Sequence, residues 1–576
     1  MKILTSDEVR LLEQETIKKH DLSTLILMQR AGFCVAQFCL LHFKFDSVCV
    51  VCGKGNNGGD GFVAAAALLE MEKKVTVVVL ARGVNDLTTD AAYWCARLPV
   101  KPLWVSKASD FETKAVEQAF DADLMIDALV GIGFKPPLKG LAKQAVDIMN
   151  EFEGEIVSID VPSGADADSL EPIAAEQDVV FGDAVITFIA PKAAHIFGNL
   201  TSGPIAVAEL GIGSAFIEDE LDLNVATAQD VAMVFAPRRD DAHKGDFGHV
   251  LVIAGSRGKA GAAAMAGMAA LKTGAGLVTI ACPESVQSTI AIFSPELMTE
   301  GLSETAEGTI SLQAGKKVDQ LLTGKDVIVL GPGLSRSEET AEFIRQFVAH
   351  CPLPLVLDAD GLNAFEKHYK DLAPRGDPAA LRVLTPHPGE AARLTGLPVK
   401  ELQADRMATA RRIAKETGTF VVLKGWRTII ASPTGEAWIN MTGNPAMAKG
   451  GSGDVLSGMI AAALARHQGG LGLLRGDSAV SEFEEVNALL GELYEMEPEL
   501  EKIDDDELLP NFNRISDSLK IQKVAAAVHL HGLAGDFARD MLHENSVLAS
   551  DILAAIARVF RECDLQMERG LFYLHK

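Results

Sequence analysis

Basic residues are in short supply in this chain. Lys and Arg number 53 against 79 Asp and Glu, so 53 − 79 leaves a formal charge of −26. That deficit argues against a general nucleic-acid binder, whose phosphate contacts need clustered cations. Long apolar runs are missing as well. No segment reads as the roughly 18 to 20 apolar residues that span a bilayer; residues 260–281 come nearest, but they are Ala/Gly-rich and carry Lys272. The opening MKILTSDEVRLLEQET lacks the apolar core of a signal peptide and instead offers a capping box at Thr5 and Glu8. A soluble, cytoplasmic protein with no membrane or nucleic-acid partner is expected. The eight cysteines stand mostly alone within apolar runs, which suits a reducing compartment. Cys49 and Cys52 do spell C-x-x-C, but inside a predicted strand and without a second pair, so neither a redox nor a zinc role is expected.

What the chain has is apolar content, 48% of 576 residues with only 23% charged. This is too much chain for one core and too apolar for wholesale disorder, so two domains are expected. β-branched runs at 47–52, 75–81, 124–127, 155–160 and 184–189 alternate with helix-like segments, and a last strand is expected at 204–209. Such alternation predicts an α/β, doubly wound, mostly parallel sheet. Periodicity fades over 211–222, which places the boundary near Glu220 and gives domains at 1–218 and 225–576. A second α/β series then runs through 249–256, 277–281, 326–330, 355–358, 382–385, 420–424 and 428–431. Residues 468–522 hold 14 acids and 4 bases, a local net of 4 − 14 = −10. They read as a solvated surface insertion with a helix around 481–496, set between helices at 454–466 and 523–540.

The first glycine loop, VVCGKGNNGGDGF, fits G-x-G-x-x-G at Gly53, Gly55 and Gly58. An ordinary dinucleotide site also needs an acid at the end of the second strand to hold ribose hydroxyls. That strand ends in Ala81, Arg82 and Gly83; the acid is absent. The loop carries instead Asn57 and Asp60, whose oxygens suit hydrogen bonding or cation coordination beside helix-start amides. DALVGIGFKPPL puts Asp127 at a strand end, and SIDVPSGADAD puts Asp160 and Ser163 just past another. In an open parallel sheet these ends converge on one crevice.

GNNGGDG, DALVGIG and DVPSGADAD, in that order, resemble the NAD(P)H-hydrate epimerase family over most of residues 1–215. The resemblance implies a Rossmann-like domain that binds nicotinamide cofactor hydrated at C6. It implies potassium near Asn57, Asp127 and Ser163. It also implies substrate contacts from Asn56, Asn57, Gly58, Gly59 and Asp60, from Gly131, Ile132, Gly133, Phe134, Lys135, Pro136 and Pro137, and from Asp160. Proton handling near C6 asks for a carboxylate tuned by its surroundings; Asp160 is the first candidate and Asp60 the second. Val130 and Ile132 depart from the family's more usual Phe and Thr.

In the second domain NPAMAKGGSGDVLSGM carries Gly450, Gly451 and Gly453 before a helix expected to begin at Asp454. Clustered glycines let amides and the positive helix end face a phosphate, while Asp454 is placed to take a proton from a hydroxyl. His387 in TPHPGE lacks the partners of a metal site and suits a hydrogen bond to a polar substrate. With LGPGLS, DADGLN, VLKGWRT, HLHGLAGD and SVLASDI, these motifs resemble the ADP/ATP-dependent NAD(P)H-hydrate dehydratase family, a branch of the ribokinase-like fold, over 225–467 and 523–560. The resemblance implies ADP contacts at Lys424, Gly425, Trp426, Arg427, Thr428 and Gly453, and hydrate contacts at Ala262, Gly333, His387 and Asp454. Magnesium is expected with the nucleotide, and the fused organisation resembles bacterial members, which implies ADP. Ser452 and Ser335 stand where threonine and glycine are usual. The expected function is bifunctional repair: epimerisation of R and S NADHX and NADPHX, then ADP-driven dehydration of the S form, by a homo-oligomer. A ribokinase-like kinase with an accessory Rossmann-like domain is the alternative.

Overall fold

A computed structural model of the chain describes residues 1–20, 22–174, 177–201, 203–211, 221–366, 368–374, 380–466, 505–564 and 571–573. Two compact units emerge, Met1–Leu223 with Glu568–Lys576, and Asn224–Met567. Both are α/β.

The first unit holds an eight-stranded sheet in the order Leu571–Tyr573, Ile205–Ala208, Ala184–Phe188, Glu155–Ile159, Leu124–Ala128, Ser47–Cys52, Lys74–Val79, Leu103–Trp104. Every neighbouring pair is parallel. Chain order reverses between Ser47–Cys52 and Leu124–Ala128, and a crevice opens at such a switch point beyond the strands' C-terminal ends. Ser47–Cys52 (SVCVVC) is buried along almost its whole length, as a central parallel strand covered on both faces must be. Cys49 and Cys52, an odd number of residues apart, fall in separate cores on opposite faces of the sheet. The C-x-x-C is therefore a packing feature. The capping box also forms: Thr5 donates from its amide and hydroxyl to Glu8 at 2.5 and 2.7 Å.

One membrane expectation needs correction. Thr24–His42 is long and apolar enough to cross a bilayer by length and composition. In this fold it buries Leu27, Ala31, Val35, Ala36, Phe38 and Cys39 in the first core, while the Arg30 guanidinium donates to the Leu210 carbonyl at 2.6 Å.

The second unit holds ten strands, ordered Met298–Leu302, Leu277–Pro283, His249–Ile253, Val327–Leu330, Leu355–Leu357, Arg382–Leu384, Phe420–Leu423, Ile429–Ala431, Ala437–Ile439, Leu223–Val225. It is parallel from Met298–Leu302 to Phe420–Leu423, then turns antiparallel through Ile429–Ala431 and Ala437–Ile439. Order reverses between His249–Ile253 and Val327–Leu330. Besides the tail strand Leu571–Tyr573, four strands are additions to the sequence expectation: Leu103–Trp104, Leu223–Val225, Met298–Leu302 and Ala437–Ile439. Each is short or half-exposed, and Met298–Leu302 (MTEGL) carries polar residues and glycine, so none shows a strong apolar period.

The tail also departs from the expected division, because Leu571–Tyr573 pairs with Ile205–Val207 and extends the first sheet. The supposed insertion shortens from its C-terminal side. Residues 505–522 belong to a 37-residue helix, Asp505–Met541, rather than to a segment ending before 523. Charge density marked a boundary where the helical period continues, with Ile521 and Val524 buried beside half-buried Asp517 and Lys520. The expected helix at 481–496 and the boundary at Glu220 lie outside the described residues.

Candidate active sites

At the first switch point a cavity of about 1050 Å³ opens, lined from Arg82 and Ser106 across to Asp160 and Phe188. Its floor depends on glycine. A Cβ on Gly53 would stand 1.8 Å from the Leu129 carbonyl oxygen, and one on Gly58 would stand 2.2 Å from the Gly53 oxygen. These contacts pull the helix Asn56–Glu70 onto the strand ends, so that Asn56, Asn57 and Asp60 face the cavity.

Asp127, fully buried at its strand end, accepts from Ser163 Oγ at 2.6 Å, the Ser163 amide at 2.8 Å, Ser158 Oγ at 3.0 Å and the Leu129 amide at 3.2 Å. Burial still holds its pKa above the ordinary carboxylate value, against those hydrogen bonds. Ser163 Oγ also accepts from the Val130 amide at 2.9 Å and lies 3.2 Å from the Val130 carbonyl. The Asn57 amide nitrogen is buried without a partner. A Cβ on Gly131 would lie 3.2 Å from Asn57 Oδ1 and 3.3 Å from Asp160 Oδ2, so glycine at that point leaves both groups open to a bound molecule.

Asp160 sits just past Glu155–Ile159 with φ +67, a left-handed conformation that non-glycine residues seldom adopt. Oδ1 accepts from Lys192 Nζ and Thr187 Oγ1, both at 2.9 Å, and Oδ2 from the Ile132 amide at 3.3 Å. Burial would raise the Asp160 pKa, but the charge and hydrogen bond of Lys192, joined by His195 and Thr187, outweigh it and hold the group below its ordinary value. Asp60 goes the other way, well above the ordinary range, through burial and then the charges of Asp160 and Glu13. Glu13, from the helix Ser6–His20, is raised too, mainly by burial.

In the second unit three neighbouring strand ends bring charges together. Lys424 Nζ stands 2.8 Å from Asp358 Oδ1 and 3.7 Å from Glu390, and Thr385 Oγ1 donates to Asp358 at 2.8 Å. Asp358 Oδ2 is buried without a partner, on the side where a Cβ on Gly453 would lie 3.7 Å from it and 3.2 Å from Lys424 Nζ. The glycine-loop helix is Ser452–Ala465, beginning two residues before the expected Asp454, with Gly451 at φ +96 as its cap. Asp454 is thus in the first turn. Burial, then Asp358, pushes its pKa up to about 7, with Lys424 opposing. The loop is tied back by Asp536, which accepts from the Gly443 amide at 3.0 Å and Asn444 Nδ2 at 2.8 Å.

Residues 24–194 match the family described as YjeF-related protein N-terminus, and residues 250–494 the family described as NAD(P)H-hydrate dehydratase. A bifunctional NAD(P)H-hydrate repair enzyme of Moorella thermoacetica is 33% identical over 583 residues, covering 99% of this chain and 98% of that protein. The chain belongs to the bifunctional NAD(P)H-hydrate repair enzymes. A second relative of the same description, from Thermofilum pendens, is 35% identical over 80% of this chain and 87% of its own length. Among solved structures, the ADP/ATP-dependent NAD(P)H-hydrate dehydratase of Bacillus subtilis, co-crystallised with ATP and magnesium, is 28% identical, covers 59% of this chain and 98% of itself, and has a TM-score of 0.44.

For a repair enzyme of this family the sequence-derived residues do not all reach the cavity. Asn56, Asn57, Asp60, Gly131, Ile132, Gly133, Phe134 and Asp160 line the first cavity. Gly58 and Gly59 pack instead against Gly53 and Met28. Lys135 turns to Asp166 and Asp168, at 2.7 and 2.9 Å, and leads into the cis pair Pro136-Pro137. In the dehydratase half, Ala262 and Gly333 meet at the second switch point, where a Cβ on Gly333 would be 3.0 Å from Ala262 Cβ. His387 caps the helix Pro388–Thr395, its Nδ1 accepting from the Gly389 amide at 3.0 Å, so Nε2 carries the proton, 3.5 Å from Glu390 Oε1. Residues 424–428 form the turn between the antiparallel strands Phe420–Leu423 and Ile429–Ala431. There Trp426 is 59% exposed, the Thr428 hydroxyl closes on the Gly425 carbonyl at 3.0 Å, and Arg427 donates to Met441 at 3.2 Å.

Sequence reasoning missed Lys192, Thr187, His195 and Glu13. A lysine inside the apolar run FIAPKAAHIF was the available signal for the first three; Glu13 offered none, since its helix lies far upstream. Ser335 takes φ +73, a left-handed conformation that favours glycine. Ser335→Gly removes left-handed strain of about 1–2 kcal/mol against a glycine entropy cost of about 0.5–1. A net gain of up to about 1.5 kcal/mol is therefore expected in urea unfolding; a lower midpoint contradicts it.

Proposed function

We propose that the two units carry out successive repairs, the first interconverting the R and S hydrates of NADH and NADPH, the second dehydrating the S form with ADP. The observation that carries the second step is Asp454 in the first turn behind Gly450, Gly451 and Gly453, with a pKa near neutrality. Such a carboxylate takes the C6 hydroxyl proton while the loop amides stabilise the phosphoryl passing from ADP to that oxygen. Loss of phosphate from C6 and of a proton from C5 restores the dihydropyridine, leaving AMP. Magnesium supplies charge neutralisation on the phosphates; it binds through one or two carboxylates plus phosphate oxygens, and the unpartnered Asp358 Oδ2 beside Gly453 fits that role.

In the first unit Asp160 Oδ2 takes the hydroxyl proton as the C6–N1 bond breaks and C6 becomes a carbonyl. The electron pair goes to N1, which takes a proton from a protonated carboxyl of the cavity, Asp60 or Glu13. Rotation about C5–C6 and reclosure give the other epimer. The oxygens of Asp127, Ser163 and the Val130 carbonyl, with Asn57 Oδ1 beside Gly131, would hold potassium, which would supply a fixed positive charge there.

Adding ADP to a mixture of both hydrate epimers is expected to restore the near-ultraviolet absorbance of the dihydropyridine completely. With Asp160→Ala recovery stops at the S fraction. A stable phosphate ester with no gain in absorbance replaces this reading with that of a kinase.

A further inference from the structure

Lys192 is buried at 1% exposure in the wall behind Asp160. An ammonium has three donors, and all are spent: on Asp160 Oδ1 at 2.9 Å, Thr187 Oγ1 at 2.8 Å and the Phe188 carbonyl at 3.1 Å. A cation this deep persists only when paired and hydrogen-bonded. Its partner is divided in use. Oδ1 is held by Lys192 and Thr187, whereas Oδ2 has only the 3.3 Å contact to the Ile132 amide and lies beside Gly131 on the cavity side.

The backbone around the pair is unusual at two successive strand ends. Asp160 has φ +67 and Ile189 φ +70, the latter a β-branched residue for which the left-handed region is an outlier. His195 ties the two ends together. Its Nδ1 accepts from the Lys192 amide at 2.8 Å, so the ring proton sits on Nε2 and is donated to the Asp160 carbonyl at 2.7 Å. Strain held by such a network is characteristic of a functional constraint.

We propose that Lys192 is a positioning residue for epimerisation: its ion pair to Oδ1 keeps Asp160 charged and aims Oδ2 at the substrate hydroxyl. This rests on the assignment of Asp160 as the base. The other groups facing the pair are Arg10 and Glu13 from the helix Ser6–His20, Asp60 from Asn56–Glu70, and His195. His195 is held neutral by burial, near 4, and burial raises both Glu13 and Asp60. Lys192 is therefore the buried cation on which the charge of Asp160 depends.

The test follows R/S exchange by NMR in the full chain without ADP, as a function of pH, for Lys192→Met and Thr187→Val. In K192M exchange at neutral pH falls about 10²- to 10⁴-fold. The acid limb moves up by at least about one pH unit, so part of the rate returns in alkali. In T187V, which keeps the cation but removes one donor to Oδ1, the limb moves up by a fraction of a unit. A K192M protein with the wild-type rate and limb, or with a rate lowered equally at every pH, overturns the proposal and makes the pair a structural staple. Where K192M does not fold, a folded T187V with an unmoved limb overturns it. Failure of the parent assignment looks different: Asp160→Ala itself would then exchange epimers at the wild-type rate.

Discussion

Asp454→Asn is expected to stop dehydration while leaving epimer exchange at the wild-type rate. The amide fills the same space in the first turn of Ser452–Ala465 but cannot take a proton. Loss of a positioned general base costs about 10²- to 10⁴-fold. The same carboxylate sets the pH dependence. Burial and the Asp358 charge raise its pKa to about 7 in the free protein, and the acid limb of kcat/KM reports that state. Only the unprotonated form is a base, so kcat/KM for the S hydrate with ADP is expected to fall tenfold per pH unit below about 7 and to level off above it. Initial rates of absorbance recovery across that range decide the matter. A profile flat through neutrality, or a D454N variant that dehydrates normally, removes Asp454 from the chemistry.

The second large effect is structural. Gly53→Ala is expected to destabilise the first unit by more than about 4 kcal/mol, in the range reserved for severe overpacking. The added Cβ would stand 1.8 Å from the Leu129 carbonyl oxygen, and that backbone atom has little room to move. The Gly53 amide donates to the Ala128 carbonyl at 3.0 Å, and Cys52 is in register with Ala128 across the two central strands. To admit a methyl group the strands must part at the point where the crevice forms. Thermal unfolding should lose the first unit's transition and exchange should vanish, while dehydration by the same chain continues. G53A melting within a degree or two of wild type with exchange intact would show that the close approach is not obligatory.

Each half placed its chemistry where short motifs could reveal it. Glycines beside backbone, as at Gly53 with Leu129, and Asp or Asn at strand ends are local requirements. They leave a local trace, and the alternation of β-branched runs with helices announces the parallel sheets. Lys192 and Glu13 left almost none. Their roles come from proximity to Asp160, one from the next strand end and one from a helix far upstream, and neither distance is written in the spacing of residues. The charge run before 523 misled for a related reason. Composition changed at a point where the backbone of Asp505–Met541 did not.

The amino-acid order by itself determined two α/β units, their parallel strands, and the three glycine-bearing turns that carry Asn57, Asp160 and Asp454, because period, turn chemistry and helix starts are properties of neighbouring residues. Tertiary structure alone decided in which direction each carboxyl's pKa moves. Asp60 is raised by burial next to Asp160, Asp160 is lowered by Lys192, and Asp454 is brought near neutrality by burial and then by Asp358. The reason is electrostatic: protonation depends on through-space charge and on removal from water, and both are fixed only when distant strand ends meet.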